Sequence, residues 1–242
     1  MHLSKPHWEG NYLTVNAVNS TAGLFAGDRV EIAVKVCPRA RVILTSPSAS
    51  RVFRARDSRG EARVEQSFLV DAGGRLDVFP EMLIPHAGSR YSQKTRIEVD
   101  PQGELFSTEM IAPGRSAAGE AFDYDHLRFE TDLSYGGRLV VRESSCLASR
   151  LENIRAIRKS FPGAYFASFF VVWRGAGDKD FCRAVARLNS PRVLAGASSP
   201  AAGVQVVKLI AADSISLRAG VTAIRALAYS QLGWPESSLR KL

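Results

Sequence analysis

Apolar and polar residues alternate with a period of two through much of the first two-thirds of this chain. Val30, Ile32, Val34 and Val36 interleave with Glu31, Ala33 and Lys35. Ala62, Val64, Gln66, Phe68 and Val70 interleave with Arg63, Glu65 and Ser67, and Leu127, Phe129, Thr131 and Leu133 with Arg128, Glu130 and Asp132. Successive side chains of a strand point to opposite faces, so each run predicts a strand with one face on a core and one in water. Turn signals separate the runs: Cys37-Pro38-Arg39, Arg59-Gly60, Ala72-Gly73-Gly74, Pro101-Gln102-Gly103 and Tyr135-Gly136-Gly137. Strands at this spacing predict a mainly β fold of layered antiparallel sheets, as in a β-sandwich or stacked hairpins. Gly73-Gly74-Arg75-Leu76-Asp77-Val78 and Gly136-Gly137-Arg138-Leu139-Val140-Val141 echo each other. The echo is open between a repeated hairpin unit and the commonness of Gly-Gly turns before strands.

The last third changes character. Ala164 to Trp173 is the most apolar stretch, bracketed by Pro162-Gly163 and Gly175, and predicts a strand buried on both faces. A short helix follows from Asp178 or Lys179 to about Asn189, stopped by Ser190-Pro191, and Val204 to Ile210 reads as a further strand. Between them, Ala195 to Gly203 reads as a mobile loop. Leu217, Val221, Ile224 and Ala228 then switch to helical spacing, with Asp213 or Ser214 as N-cap and Gly233 and Pro235 as the stop. Such a helix of about five turns either covers an open sheet face or docks a helical partner. The chain therefore reads as one unit over 1–242, β-rich over 10–175, with about two helices in 176–242.

Composition narrows the functional classes. At 242 residues the chain can bury a sizeable core, and its 45% hydrophobic and 23% charged content is ordinary for a globular protein. It has no apolar run near the ~20 residues of a membrane helix. Met1 to Trp8 has no signal-peptide core, which makes the cytoplasm the expected location. Cys37, Cys146 and Cys182 are odd in number and widely spaced, so they indicate neither a disulfide framework nor a zinc site and read as small core residues. The net charge of +8 raises the question of an acidic partner. Its densest cluster, Arg51-Val52-Phe53-Arg54-Ala55-Arg56-Asp57-Ser58-Arg59, reads as a solvated strand edge and turn or as a protein-binding surface, for which arginine is favoured.

Catalytic and nucleotide motifs are missing from the sequence. There is no GxxxxGK[ST], no GxGxxG opening a strand–helix unit and no HExxH. Gly114-Arg115-Ser116-Ala117-Ala118-Gly119 is not a nucleophile elbow, because its second glycine comes one residue late. His2, His7, His86 and His126 stand apart, and the acid pairs Asp123/Asp125 and Glu61/Glu65 read as turn and strand-face residues rather than as a catalytic dyad. No catalytic residue is assigned. A basic β-rich nucleic-acid-binding module or another protein-interaction module remains the alternative reading, resting on Arg51, Phe53, Arg54 and Arg56.

Four segments in order carry a family resemblance. Ala17 to Ile32 contains Gly23-Leu24-Phe25-Ala26-Gly27-Asp28, which resembles a G-L-x-x-G-D turn leading into an alternating strand. Ala40 to Phe53 resembles A-x-x-L-L-T-T-x-x-A-x-[KR]-[VIF]-[YF]. Phe79 to His86 resembles an L-P-x-x-x-I strand, and Gly114 to Phe122 fits G-R-x-x-x-G-E-x-F, with Glu109 matching the acid that precedes it. Together they are similar to the urease accessory protein UreD family, also called UreH. The match runs from about Tyr12 to at least Leu147, and more weakly through the C-terminal helix. Departures are few. Asn19-Ser20-Thr21 replaces prolines common before the first glycine, His86 stands where many members have Phe, and the upstream strand residues usual in the family are missing from the start.

The resemblance implies a non-enzymatic scaffold for urease maturation, mostly β with a pair of helices. It implies UreF-like and UreG-like accessory proteins and apo-urease as partners, with neither membrane nor nucleic acid among them. It also implies no tightly bound cofactor, and nickel only in transit through an internal channel. A conduit should hold its ion weakly, which carboxylates do and imidazole–thiolate clusters do not. Asp28, Glu81, Glu109 and Glu120, near the motif turns, are the expected nickel path. Gly23, Gly27, Gly114, Arg115 and Gly119 are the expected structural positions of the motifs.

Overall fold

The computed structural model describes residues 2–56, 60–148, 150–174 and 178–235; of the side chains within helices, those of Asn153 and Asp178 are not described. Asp57 to Arg59 of the basic cluster, and the Gly175 that brackets the apolar strand, lie outside the described residues. Among the described residues the fold is mainly β, with sixteen strands in two sheets and three α-helices.

The organising unit is a strand that turns a corner from one sheet into the other. β4 (Arg29–Val36) turns into β5 (Arg41–Thr45), β7 (Ala62–Val70) into β8 (Arg75–Phe79), and β10 (Arg90–Val99) into β11 (Glu104–Ile111). These corners stack in register. Val36 sits beside Val70 and Val70 beside Val99 in one sheet, while Arg41 sits beside Arg75 and Arg75 beside Glu104 in the other. Corner amides bond from coil to coil: Asp71 N donates to Val36 O at 3.0 Å, and Asp100 N to Val70 O at 2.9 Å. All of these pairings are parallel. The expected layered β-sheets are therefore mixed rather than wholly antiparallel, with the corner strands running parallel. The turn residues join strands of different sheets, so neighbours within a sheet come from successive coils running the same way.

The five-stranded sheet is completed by β12 (His126–Tyr135), parallel to β10, and β13 (Arg138–Leu147), antiparallel to β12. The larger sheet adds β1 (His2–Leu3), β2 (His7–Glu9) and β3 (Tyr12–Val18) at one end. At the other end lie β14 (Tyr165–Val172), β15 (Val193–Ala201) and β16 (Val204–Ala211). Short strands β6 (Ser50–Val52) and β9 (Leu83–Pro85) pair with each other, and β9 meets β11 only at Leu83 and Ile111. The two Gly-Gly echoes are different objects. Gly73-Gly74 is a sheet-changing corner, whereas Gly136 and Gly137, both at positive φ, make the tight hairpin between β12 and β13.

The helices are α1 (Glu152–Ser160), α2 (Asp178–Ala186) and α3 (Ser214–Leu232). Helix α1 falls inside the region read as β-rich. Helix α3 has Asp213 accepting from Ser216 N at 2.7 Å as its N-cap and ends at Gly233 in the left-handed conformation. Its buried face, Leu217, Val221, Ile224 and Ala228, covers the outer face of the larger sheet together with α2. Gly220 lies against β16 so closely that a Cβ there would meet Leu209 Cδ1 at 2.6 Å. The stretch read as a loop, Ala195 to Gly203, is instead mostly edge strand β15. Ala195 and Ala197 pack under the helices, and Pro200 sits where the register shifts, at a position an edge strand tolerates. The cysteines are corrected too. Cys37 and Cys146 are exposed and Cys182 is half-buried, because Cys37 lies at a corner and Cys146 at an outward position of an edge strand.

Candidate functional site

Side chains facing between the two sheets are apolar toward both ends of the strands and polar in the middle. In the smaller sheet, Gln66 on β7, Thr95 on β10, Thr131 on β12 and Glu143 on β13 are register partners in one row across the strands. In the larger sheet, Glu109 on β11, Ser168 on β14 and Lys208 on β16 form the matching row. On one side of this belt lies an apolar cluster containing Val64, Leu127, Phe129 and Ile111. On the other lies a second cluster, with Phe68, Ile97, Leu133 and Phe170. The belt therefore cuts the inter-sheet core in two. Across the four strands of the smaller sheet it spans roughly 14 Å at the usual strand spacing.

Hydrogen bonds run along the belt. Gln93 donates through Nε2 to Glu109, and to Thr95 Oγ1 at 3.3 Å; Thr95 Oγ1 donates to Gln66 Oε1 at 3.3 Å; Tyr91 Oη donates to Gln93 Oε1 at 2.6 Å. At the far end, Lys208 Nζ donates to Ser168 Oγ at 2.9 Å and ion-pairs with Glu143. Thr95 and Thr131 are each only 4% exposed, so these polar groups sit in a place that aliphatic side chains could fill.

The other end of the belt opens into a cavity of about 410 Å³ whose walls include Gln66, Gln93, Ser107 and Glu109. Its origin is a coincidence of strand breaks. β5 ends at Thr45 and β8 at Phe79, and the connections Ser46–Ala49 and Pro80–Met82 both interrupt the sheet at the level of Thr108 to Met110. Ser46 Oγ accepts from Glu81 N at 2.8 Å across the two breaks. Thr21, Ala22, Ser48 and Arg51 are the exposed residues of the wall and mark the mouth. Gly23 seals its rim. Its amide neighbour Leu24 donates to Arg51 O at 2.8 Å, and a Cβ on Gly23 would stand 2.6 Å from that same carbonyl.

Glu109 is the acid placed on both cavity and belt. Burial pushes its carboxyl up to about 7; Lys208 pulls it down, Glu143 pushes it up and the Gln93 amide pulls it down. At neutral pH the group therefore lies close to the midpoint between carboxylate and acid. The sequence-expected residues separate into two sets. Glu81 also lines the cavity and is ion-paired by Arg218 of α3 at 3.0 Å. Asp28 closes its own turn, accepting from Phe25 N at 2.8 Å. Glu120 accepts from Arg115 Nε at 2.8 Å and from Ala87 N at 3.1 Å, and the Arg115 guanidinium brings its carboxyl down to about 2. Neither Asp28 nor Glu120 lines the cavity. Gly27 and Gly119 sit at positive φ in these turns. At Gly114 the φ of +150° and the Glu120 carbonyl, 2.7 Å from where a Cβ would be, leave room for glycine alone.

The remaining candidate acids serve the surface: Asp125 pairs with Arg90 at 2.7 Å, and Glu61 with Arg63 at 2.9 Å and His126 at 3.1 Å. Among the described residues, no group of three or more His, Cys, Asp or Glu side chains is placed to hold a metal ion. None of the described helices is long and apolar enough to cross a membrane. The reading from sequence missed Gln93, Thr95, Ser107, Ser168, Lys208 and Glu143. For Gln93 and Thr95 the signal was a polar residue at the core-facing phase of β10.

These features define a class: a β scaffold of stacked corners with a polar, acid-bearing belt through its interior and a helical cover. The family model described as UreD urease accessory protein matches residues 1–241, and the chain belongs to that family. It is 38% identical over 231 residues to the urease accessory protein UreD of Opitutus terrae, covering 93% of this chain and 84% of that protein. It is 29% identical over 206 residues to the urease accessory protein UreD of Paracoccus denitrificans, covering 83% and 71%. Family membership places the chain among accessory proteins of urease maturation.

Proposed function

We propose that this protein is a scaffold that binds apo-urease together with UreF-like and UreG-like accessory proteins, and that its inter-sheet belt carries nickel toward the urease active site. The observation that supports this reading is the belt itself, a polar row between two apolar clusters that ends in a cavity walled by Glu109. Apolar groups of the same shape can replace paired hydroxyls and amides at little or no cost in stability, so the fold itself does not demand them. Polar groups kept in such a place suit a passage.

The chemistry fits transit rather than storage. Amide and hydroxyl oxygens replace hydration water without binding nickel as imidazole or thiolate would. Glu109 supplies one compensating charge part-way, and its midpoint near neutrality lets an arriving cation exchange for a proton and leave again as the proton returns. Glu81, held by Arg218, contributes its charge to the cavity wall in an already neutralised form. Asp28 and Glu120 act by holding the turns that frame the mouth and the next coil.

The test is nickel incorporation into apo-urease by the assembled accessory complex carrying Glu109→Gln. The reading expects an at least tenfold slower rate with the complex still co-eluting. An unchanged rate would sink it.

A further inference from the structure

The far end of the belt already holds a cation, the ammonium of Lys208. Its Nζ is bonded to Ser168 Oγ at 2.9 Å, paired with Glu143, and set 5.7 Å from the centre of the Phe170 ring. Lys208 shares a register row with Ser168 and Glu109, and Glu143 shares one with Thr131 and Thr95, so the ammonium sits where the polar rows of the two sheets end together. The side chain is about half exposed, so that end meets solvent.

We infer that Lys208 is a tethered counter-cation: its ammonium occupies the exit of the belt, and a divalent ion passing through must displace it and is then displaced by it. This rests on the conduit reading and adds a release device to it. Without the ammonium, Glu109 and Glu143 would face the same stretch of belt as two carboxylates beside the Ser168 hydroxyl. Two carboxylates facing one stretch hold a divalent cation longer than a single one does, since affinity rises with ligand charge. A lysine fixed to the same strand row competes with any such ion at the effective concentration of an intramolecular group, on the order of millimolar or above. The ammonium also neutralises part of the acidic charge, so an ion dwells briefly and moves on. Cation–π contact with Phe170 and the Ser168 hydroxyl keep it poised at the exit between passages.

The experiment is calorimetric titration of the full-length chain with nickel chloride, comparing wild type, Lys208→Met, Lys208→Arg and the double variant Lys208→Met/Glu143→Gln. The inference expects Lys208→Met to bind nickel at least tenfold more tightly than wild type and to retain it through desalting. It expects Lys208→Arg to stay near wild type, and the double variant to lose most of the gain. Equal affinity of Lys208→Met and wild type overturns the inference, as does a gain that survives in the double variant. Should Lys208→Met fail to fold, Lys208→Gln carries the same expectation. Failure here leaves the conduit reading standing, because that depends on delivery by the Glu109→Gln complex, whereas an unchanged delivery rate with that complex defeats the conduit whatever the affinities are.

Discussion

Glu109 should cost the protein stability at neutral and alkaline pH, and replacing it with Gln should recover that loss. Its carboxyl lies at about 7 in the fold against an ordinary 4.5, because burial and Glu143 outweigh Lys208 and Gln93. A raised acid means that the folded state binds more protons than the unfolded one between those two values, so stability falls as pH rises through that window. The whole shift corresponds to about 3 kcal/mol above pH 7, which water admitted by the cavity trims to about 2 kcal/mol, and to less than about 1 kcal/mol at pH 5. The glutamine of the Glu109→Gln variant would keep an oxygen for the Gln93 amide while removing the charge. For a chain of this size, each kcal/mol moves the melting temperature by about 2–4 °C. The variant should therefore melt about 4–8 °C above wild type at pH 8 and within about 3 °C of it at pH 5, by scanning calorimetry. Lys208 and Glu143, the charged groups that face Glu109, stay paired in both proteins. A variant that melts lower than wild type at pH 8, or whose gain is equal at both pH values, would refute the burial argument.

Other consequences concern the scaffold. Arg225→Ala should lose about 3–5 kcal/mol in urea unfolding, because it strips the 2.8 Å ion pair from Asp77, which is fully buried beneath α3. Asp77→Asn/Arg225→Met should be milder than Arg225→Ala. Trp234→Phe should cost about 1–3 kcal/mol by the same measurement, since the indole N–H donates at 2.8 Å to buried Glu104, which Arg75 also holds. Gly23→Ala should destabilise by about 1–3 kcal/mol and expose the Arg51 edge to faster amide exchange, because its Cβ cannot fit beside the Arg51 carbonyl. Comparable exchange at Leu24 in both proteins would count against the sealing role.

Strand positions were legible where one face met water. Ala62 to Val70 and Leu127 to Leu133 alternate cleanly, and the helical spacing of Leu217 to Ala228, with Asp213 and Gly233 at its ends, fixed α3. Sheet polarity was not legible, because period two is the same in parallel and antiparallel sheets. The corners carry the missing signal. Val36, Val70 and Val99 each stand five residues before the next strand, a repeat visible only after the strands are stacked. The edge strand β15 was hidden by its small residues, which pack under helices rather than advertise a core. Helix α1 was missed because its Ile154 and Ile157 are flanked by many charges. Of the site, Glu109 and Glu81 could be reached through the family motifs. The belt could have been reached directly, since Gln66 and Thr131 occupy core-facing places in runs that are otherwise apolar. Lys208 and Glu143 could not, because their meeting depends on two edge regions of different sheets.

The most direct test fills the belt without touching its charges. Thr131 lies at the middle of the row, and Thr131→Leu would join the two apolar clusters with an aliphatic side chain. Glu130→Gln, on the exposed face of the same strand, is the control. The measurement is the nickel content of urease matured by complexes carrying each variant, after confirming that each complex assembles. The conduit account predicts nickel reduced at least tenfold by Thr131→Leu and unchanged by Glu130→Gln. Full nickel occupancy with Thr131→Leu would show that the metal travels elsewhere.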